Sequence, residues 1–166
     1  AYRRQRQMCI RDRNYRDIGQ SNYLGISNGA IFLKGISQAF IESLGKVETR
    51  IFDWYLYSRL LLNEKKGKKI NGCYTYYRIY EANLAGKCEW SRQAVKKEIE
   101  IKREHYRLLT PYDNYYKNLL QVYSSTCTEQ FTEQFADQEM TGYWWSLTNI
   151  QLEAVSYTHL RAHETL

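Results

Sequence analysis

The stretch SRQAVKKEIEIKREHY (residues 91–106) constrains this chain more than any other. It opens on a serine, whose side-chain oxygen can accept from the orphan amides of a first helical turn. Val95 and Ile99 stand four apart, so they share one helix face and hold it against a core. Arg92, Gln93, Lys96 and Lys97 fall away from that stripe. The spacing predicts a helix capped by Ser91, apolar on one side and basic and polar on the other.

What precedes the helix matters as much. In NLAGKCEWSRQAVKKEIE, Ala85 is small enough to let two helices cross closely, and Trp90 can plug a turn into the core. Counted from Ala85, Trp90, Ser91, Val95 and Ile99 follow at a spacing that resembles the helix-turn-helix pattern of an Ala, an apolar residue next to a Ser, then Val and Ile. The pattern often has glycine where Glu89 stands, and Gly86 is an alternative place for the turn. Lys102 occupies a position where an apolar residue is expected, with Ile101 beside it. Either the register drifts there or the sequence carries an error.

The remaining elements are placed by local pattern. AIFLKGI (30–36) suits a short strand. SQAFIESLG (37–45) begins on a capping Ser37 and stops at Gly45, which suits a short helix. VETRIFDWYLYSRLLLN (47–63) is the longest apolar helical signal, with Ile51, Trp54, Tyr55, Leu61 and Leu62 on one face and Ser58 as its polar member. CYTYY (73–77) suits a strand, and RIYEANLAG (78–86) a helix ending at Gly86. RLLTP (107–111) and NLLQVY (118–123) suit two strands around a polar tip, YDNYYK (112–117). Residues 124–153 contain a tandem Thr-Glu-Gln-Phe and suit a linker or a weak helix.

In that order the elements resemble a winged helix-turn-helix domain spanning residues 29–123. The implied fold class is α+β, a three-helix core with a small antiparallel β-wing. Among such domains the chain is similar to the N-terminal domains of phage and plasmid replication proteins, and transcriptional regulators share nearly all of the pattern. The resemblance implies binding to double-stranded DNA, in replication initiation or transcriptional regulation of a mobile element. Ser91 would cap the recognition helix. Arg92 or Gln93 would meet base edges, and Lys96 and Lys97 phosphates. In the wing, Asn114, Tyr116 and Lys117 would reach the minor groove or backbone, with a plain hairpin turn as the other reading. The loop Lys65, Lys66, Lys68 and Lys69 suits either phosphate contact or ordinary solvation. The alternative function on the same fold is protein–protein interaction without DNA.

The two ends look unlike the middle. Met8-Cys9-Ile10-Arg11-Asp12 can be encoded ATG TGT ATA AGA GAC, whose reverse complement translates as Val155-Ser156-Tyr157-Thr158-His159. Protein physics gives no reason for two ends to be reverse complements in frame. The wording resembles read-through of transposase-based sequencing adapters. Residues 1–13 and 154–166 are therefore expected to be disordered scars, with 14–28 a loose lead-in. Setting them aside lowers the formal charge from +6 to +2. A basic arm as the DNA-binding element is thereby lost, and a homodimer or a second domain is expected to strengthen contact with DNA.

Other classes find little support in the residues. No run reaches the roughly 18 apolar residues of a membrane span. Cys73, Cys88, Cys127 and His105 show no metal-ligand spacing. One histidine outside the ends, with no Gly-rich phosphate loop and no Gly-x-Ser-x-Gly, argues against an enzyme. No cofactor is expected. Three unpaired-looking cysteines suggest a reducing, cytoplasmic setting.

Overall fold

The computed structural model describes residues 2–4, 14–22, 24, 29–67, 76–78, 91–125 and 145–150, with the backbone alone for 2–4 and 76–78. Four helices lie in this part: α1 (Gln38–Gly45), α2 (Phe52–Leu62), α3 (Arg92–Leu109) and α4 (Asn114–Ser125). Two three-residue strands, β1 (Tyr2–Arg4) and β2 (Tyr76–Arg78), pair antiparallel with Arg3 opposite Tyr77. The β1 strand thus brings backbone from the set-aside start of the chain to the edge of the expected aromatic strand. A ribbon this short has little stability of its own.

The 18-residue helix α3 organises the rest. Ser91 caps it as expected, its hydroxyl oxygen accepting from Ala94 N–H at 3.0 Å. The apolar stripe does not end at Tyr106. Leu109 is also fully buried, so α3 runs one turn beyond the expected limit. Pro111 then stops it, since proline has no N–H to offer the Arg107 carbonyl four residues back. The Thr110 hydroxyl donates to that carbonyl instead, at 2.9 Å. Asp113 begins the next helix by accepting from Tyr115 N–H at 2.7 Å.

This connection overturns the α+β winged-helix expectation. The segments expected to form the wing, 107–111 and 118–123, are the last turn of α3 with its turn and the body of α4. The expected tip, 112–117, is the turn and first turn of α4. The physical reason is period. Tyr116, Leu119 and Tyr123 are buried at spacings of three and four, whereas a strand would alternate every second residue. The hairpin is therefore two antiparallel helices, not two strands.

Helix α3 packs on both α2 and α4. The larger core joins Tyr55 of α2, Val95, Ile99, Tyr106 and Leu109 of α3, and Tyr116, Leu119 and Tyr123 of α4. A smaller one joins Ile18, Ile51, Trp54 and Ile101. Trp54 holds the lead-in through its indole N–H, which donates to the Ile18 carbonyl at 2.6 Å. Residues 14–22 are thus tied to the core, although a loose segment was expected there.

Three further expectations resolve locally. Helix α1 starts and stops where Ser37 and Gly45 predict, with Ser37 accepting from Phe40 N–H at 3.2 Å. Helix α2 starts later than residue 47, because Glu104 of α3 binds the preceding chain. Its carboxylate accepts from the Thr49 hydroxyl at 2.7 Å and from the Arg50 guanidinium at 2.8 Å. Residues 30–36 form no strand, and Phe32 and Leu33 are 86% and 65% exposed. Of the helix expected at 78–86, Arg78 instead ends β2, and the rest, with Ala85 and Trp90, lies outside the described residues.

Candidate nucleic-acid interface

The start of α3 carries Arg92, Gln93, Lys96 and Lys97, and all four are exposed. They flank the stripe of Val95 and Ile99, which are 0% and 1% exposed and fix the helix's rotation about its axis. Farther along the same outer side, Glu100 and Arg107 are exposed as well. Glu104 is already committed to Arg50 (2.8 Å). Its carboxyl is partly buried, which alone would raise its pKa. The Thr49 and Arg50 hydrogen bonds outweigh this and hold it below the usual value. Arg103 turns to the neighbouring helix, its Nε donating to the Tyr123 carbonyl at 2.7 Å. The outer face of α3 is thus mainly cationic over its first two turns.

The second expected group does not assemble. Tyr116 is fully buried, because it faces the core from the first turn of α4. Its hydroxyl reaches the Tyr15 carbonyl at 3.4 Å, and burial pushes its pKa up. It cannot touch DNA from there. Asn114 and Lys117 are exposed, but on a helix and not at the tip of a wing. Of the lysine loop, Lys65 and Lys66 are exposed, and Lys65 Nζ donates to the Gly35 carbonyl at 2.7 Å. Lys68 and Lys69 lie outside the described residues.

Sequence patterning missed a polar cluster on the opposite side of α3. Glu98 and Lys102 form an ion pair at 3.2 Å with side chains 4% and 0% exposed. Lys102 Nζ also donates to Asn149 Oδ1 at 2.9 Å and to the Tyr123 hydroxyl at 3.3 Å. Helix α3 keeps its register through Lys102, so no drift accounts for that residue. It is a buried lysine with partners. Burial lowers its pKa to about 8, and Glu98 opposes that shift. The visible signal was the four-residue spacing of an acid and a base on the same side as the apolar stripe.

One turn on, His105 is also buried. Its ring stacks on Trp54 at 4.0 Å, and Nε2 lies 3.4 Å from Ser58 Oγ. Burial, and then the charge on Lys102, hold its pKa well below the ordinary value of 6.5. Such a histidine is neutral and packed. Among the described residues, no group of three or more His, Cys, Asp or Glu side chains is placed to hold a metal ion.

Arg59 of α2 makes a different kind of buried charge. It is 5% exposed, and Nη1 donates to the Tyr55 hydroxyl at 2.7 Å. The Tyr112 ring covers its guanidinium at 3.6 Å, with Phe40 at 5.3 Å. Aromatic faces stand where a carboxylate would. Tyr112 was expected in a wing tip and instead closes this stack.

Comparison with protein-family models, with curated proteins and with solved structures finds no match for this chain. No helix among the described residues is long and apolar enough to cross a membrane.

Proposed function

We propose that the chain binds double-stranded DNA through the outer face of α3, without a wing. The observation that carries this reading is the exposed set Arg92, Gln93, Lys96 and Lys97 on the first turns of a capped helix. At about 1.5 Å per residue, such a helix is long enough to lie along a major groove. Gln93 and Arg92 offer paired hydrogen bonds to base edges, whereas Lys96 offers a point charge to a phosphate. Exposed Lys117 and Arg107 add sequence-independent attraction. A role in replication or transcription of a mobile element remains the context this reading fits.

The test is a salt titration of binding to random and selected duplexes. Lys96→Ala is expected to weaken all sequences alike and to flatten the salt slope by about one unit. Arg92→Ala is expected to lose about tenfold or more on the preferred sequence and to blur the preference. Binding that is absent at low salt, or indifferent to both changes, moves the reading to protein docking. The exposed Phe32 and Leu33 would then be the first surface to probe.

A further inference from the structure

The segment Trp145–Ile150 is held over the α3–α4 hairpin mainly by polar groups, with Ile150 packed on the edge of the larger core and Trp145 on the smaller one. Glu98 accepts three of its donors: Leu147 N–H at 3.2 Å, and the Thr148 N–H and hydroxyl at 2.8 Å each. The Tyr123 hydroxyl donates to the Thr148 carbonyl, and Lys102 to Asn149 at 2.9 Å. Ile150 pairs with the Gln20 amide through both backbone groups, at 2.7 and 2.8 Å.

These apolar contacts are made at the margins of the two cores. Trp145, Leu147 and Ile150 are only half-buried, and the segment's fully buried residue is Thr148. Trp145 also sits at φ 61°, in the left-handed region that a bulky residue adopts only under constraint. Opening would relax that residue. It would also return Glu98 and Lys102 to water, which offsets the lost hydrogen bonds. Marginal apolar contacts and many replaceable polar ones are the features of a unit that opens locally.

We propose that Trp145–Ile150 is a strap that opens and closes as a unit over the Glu98–Lys102 pair while the α3–α4 hairpin stays folded. The proposal does not rest on DNA binding, since Glu98 and Lys102 lie across α3 from Arg92 and Lys96.

The strap has a direction of response to pH. Lys102 is faced by Glu98 and His105 of α3, by Tyr123 of α4, and by Asn149 of the strap. With the strap closed, its pKa is about 8. With the strap open, water returns it toward the ordinary value of 10.5. The closed form then binds fewer protons, so closure tightens as pH rises above about 8. Tyr123 limits this from above. Burial raises its pKa when closed, so its contribution is lost once the open form ionises, above about 10.

The experiment is amide hydrogen exchange on the full chain. The amides of Leu147, Thr148 and Ile150 are expected to exchange faster than those of Ile99 and Tyr106, and with a weaker dependence on urea. Thr148→Val removes one hydroxyl donor and leaves the ion pair. It is expected to speed exchange at Leu147 and Ile150 by about tenfold, roughly one hydrogen bond, without touching the hairpin. Glu98→Gln is expected to act more strongly in the same direction. Should Glu98→Gln fail to fold, Thr148→Val alone decides. Equal rates and equal urea slopes in strap and hairpin would overturn the proposal, as would strap rates that ignore Thr148→Val.

Discussion

Helix α3 handles charge in two opposite ways. On its outer side, Arg92, Lys96 and Lys97 stand in water. On its inner side, Glu98 and Lys102 are as buried as the valine and isoleucine beside them. Water screens the outer charges and keeps them solvated. The inner charges depend on a complete set of protein partners, because burial removes their solvation. One helix therefore combines a face that tolerates substitution with a face that does not.

Val95→Asp tests the inner face most severely. Val95 is 0% exposed, one turn before Ile99. Unlike Glu98, a carboxylate there would meet the apolar larger core. A loss of about 4 kcal/mol or more is expected, read as the shift in urea unfolding. Asp in place of Lys96, one residue away and exposed, should fold normally. If both variants were equally stable, the rotation of α3 described above would be wrong.

Glu98→Ala comes next. It strands Lys102 and leaves the amides of Leu147 and Thr148 without their acceptor. A loss of about 2–4 kcal/mol is expected, below the figure for a rigidly buried broken pair because the strap can lift and let water in. Replacing Glu98 and Lys102 together by leucine should be milder than Glu98→Ala. A double variant worse than the single would mean that the pair itself supplies net stability.

How much of this was legible follows from what each signal depends on. The Ser91 cap, the Val95/Ile99 stripe and the exposure of Arg92, Gln93, Lys96 and Lys97 depend on residues within one or two turns, so the sequence alone displays them. The α4 helix was missed because Val122, Tyr116 and Tyr123 carry strand preference. Helical burial of Tyr116, Leu119 and Tyr123 against α3 overrides it. The partners of Lys102 could not be seen at all. Tyr123 and Asn149 stand 21 and 47 residues away, and no local pattern encodes such a meeting. Tyr116 was placed in the interface for the same reason: its destination is set by the hairpin, not by its neighbours in sequence.

pH separates the inner face from the outer one. His105 is held well below 6.5 in the folded chain. The unfolded chain binds that proton first, so stability is expected to fall as pH drops below about 6.5. Lys102 acts at the other end. Its pKa of about 8 lies below the ordinary 10.5, so the cost of burying its charge is relieved between about 8 and 10, by up to about 2 kcal/mol. Tyr115, Tyr116 and Tyr123 are all raised by burial and reverse the trend above about 10. The checking measurement is urea unfolding from pH 5 to 11. Lys102→Met should abolish the rise between 8 and 10 and leave the acid limb in place.

The smallest effect on stability should come from the outer face, and this is what gives the comparison its use. Arg92→Ala and Lys96→Ala remove exposed charges that no described residue needs for packing. Thermal unfolding of both variants is expected to match the parent within error at pH 7. Their loss of duplex binding would then be a loss of contacts and not of fold, which Val95→Asp or Glu98→Ala could never establish. Destabilisation by Lys96→Ala, or binding lost only in variants that also unfold, would place the cations of α3 in the architecture of the domain and leave its outer face without a ligand.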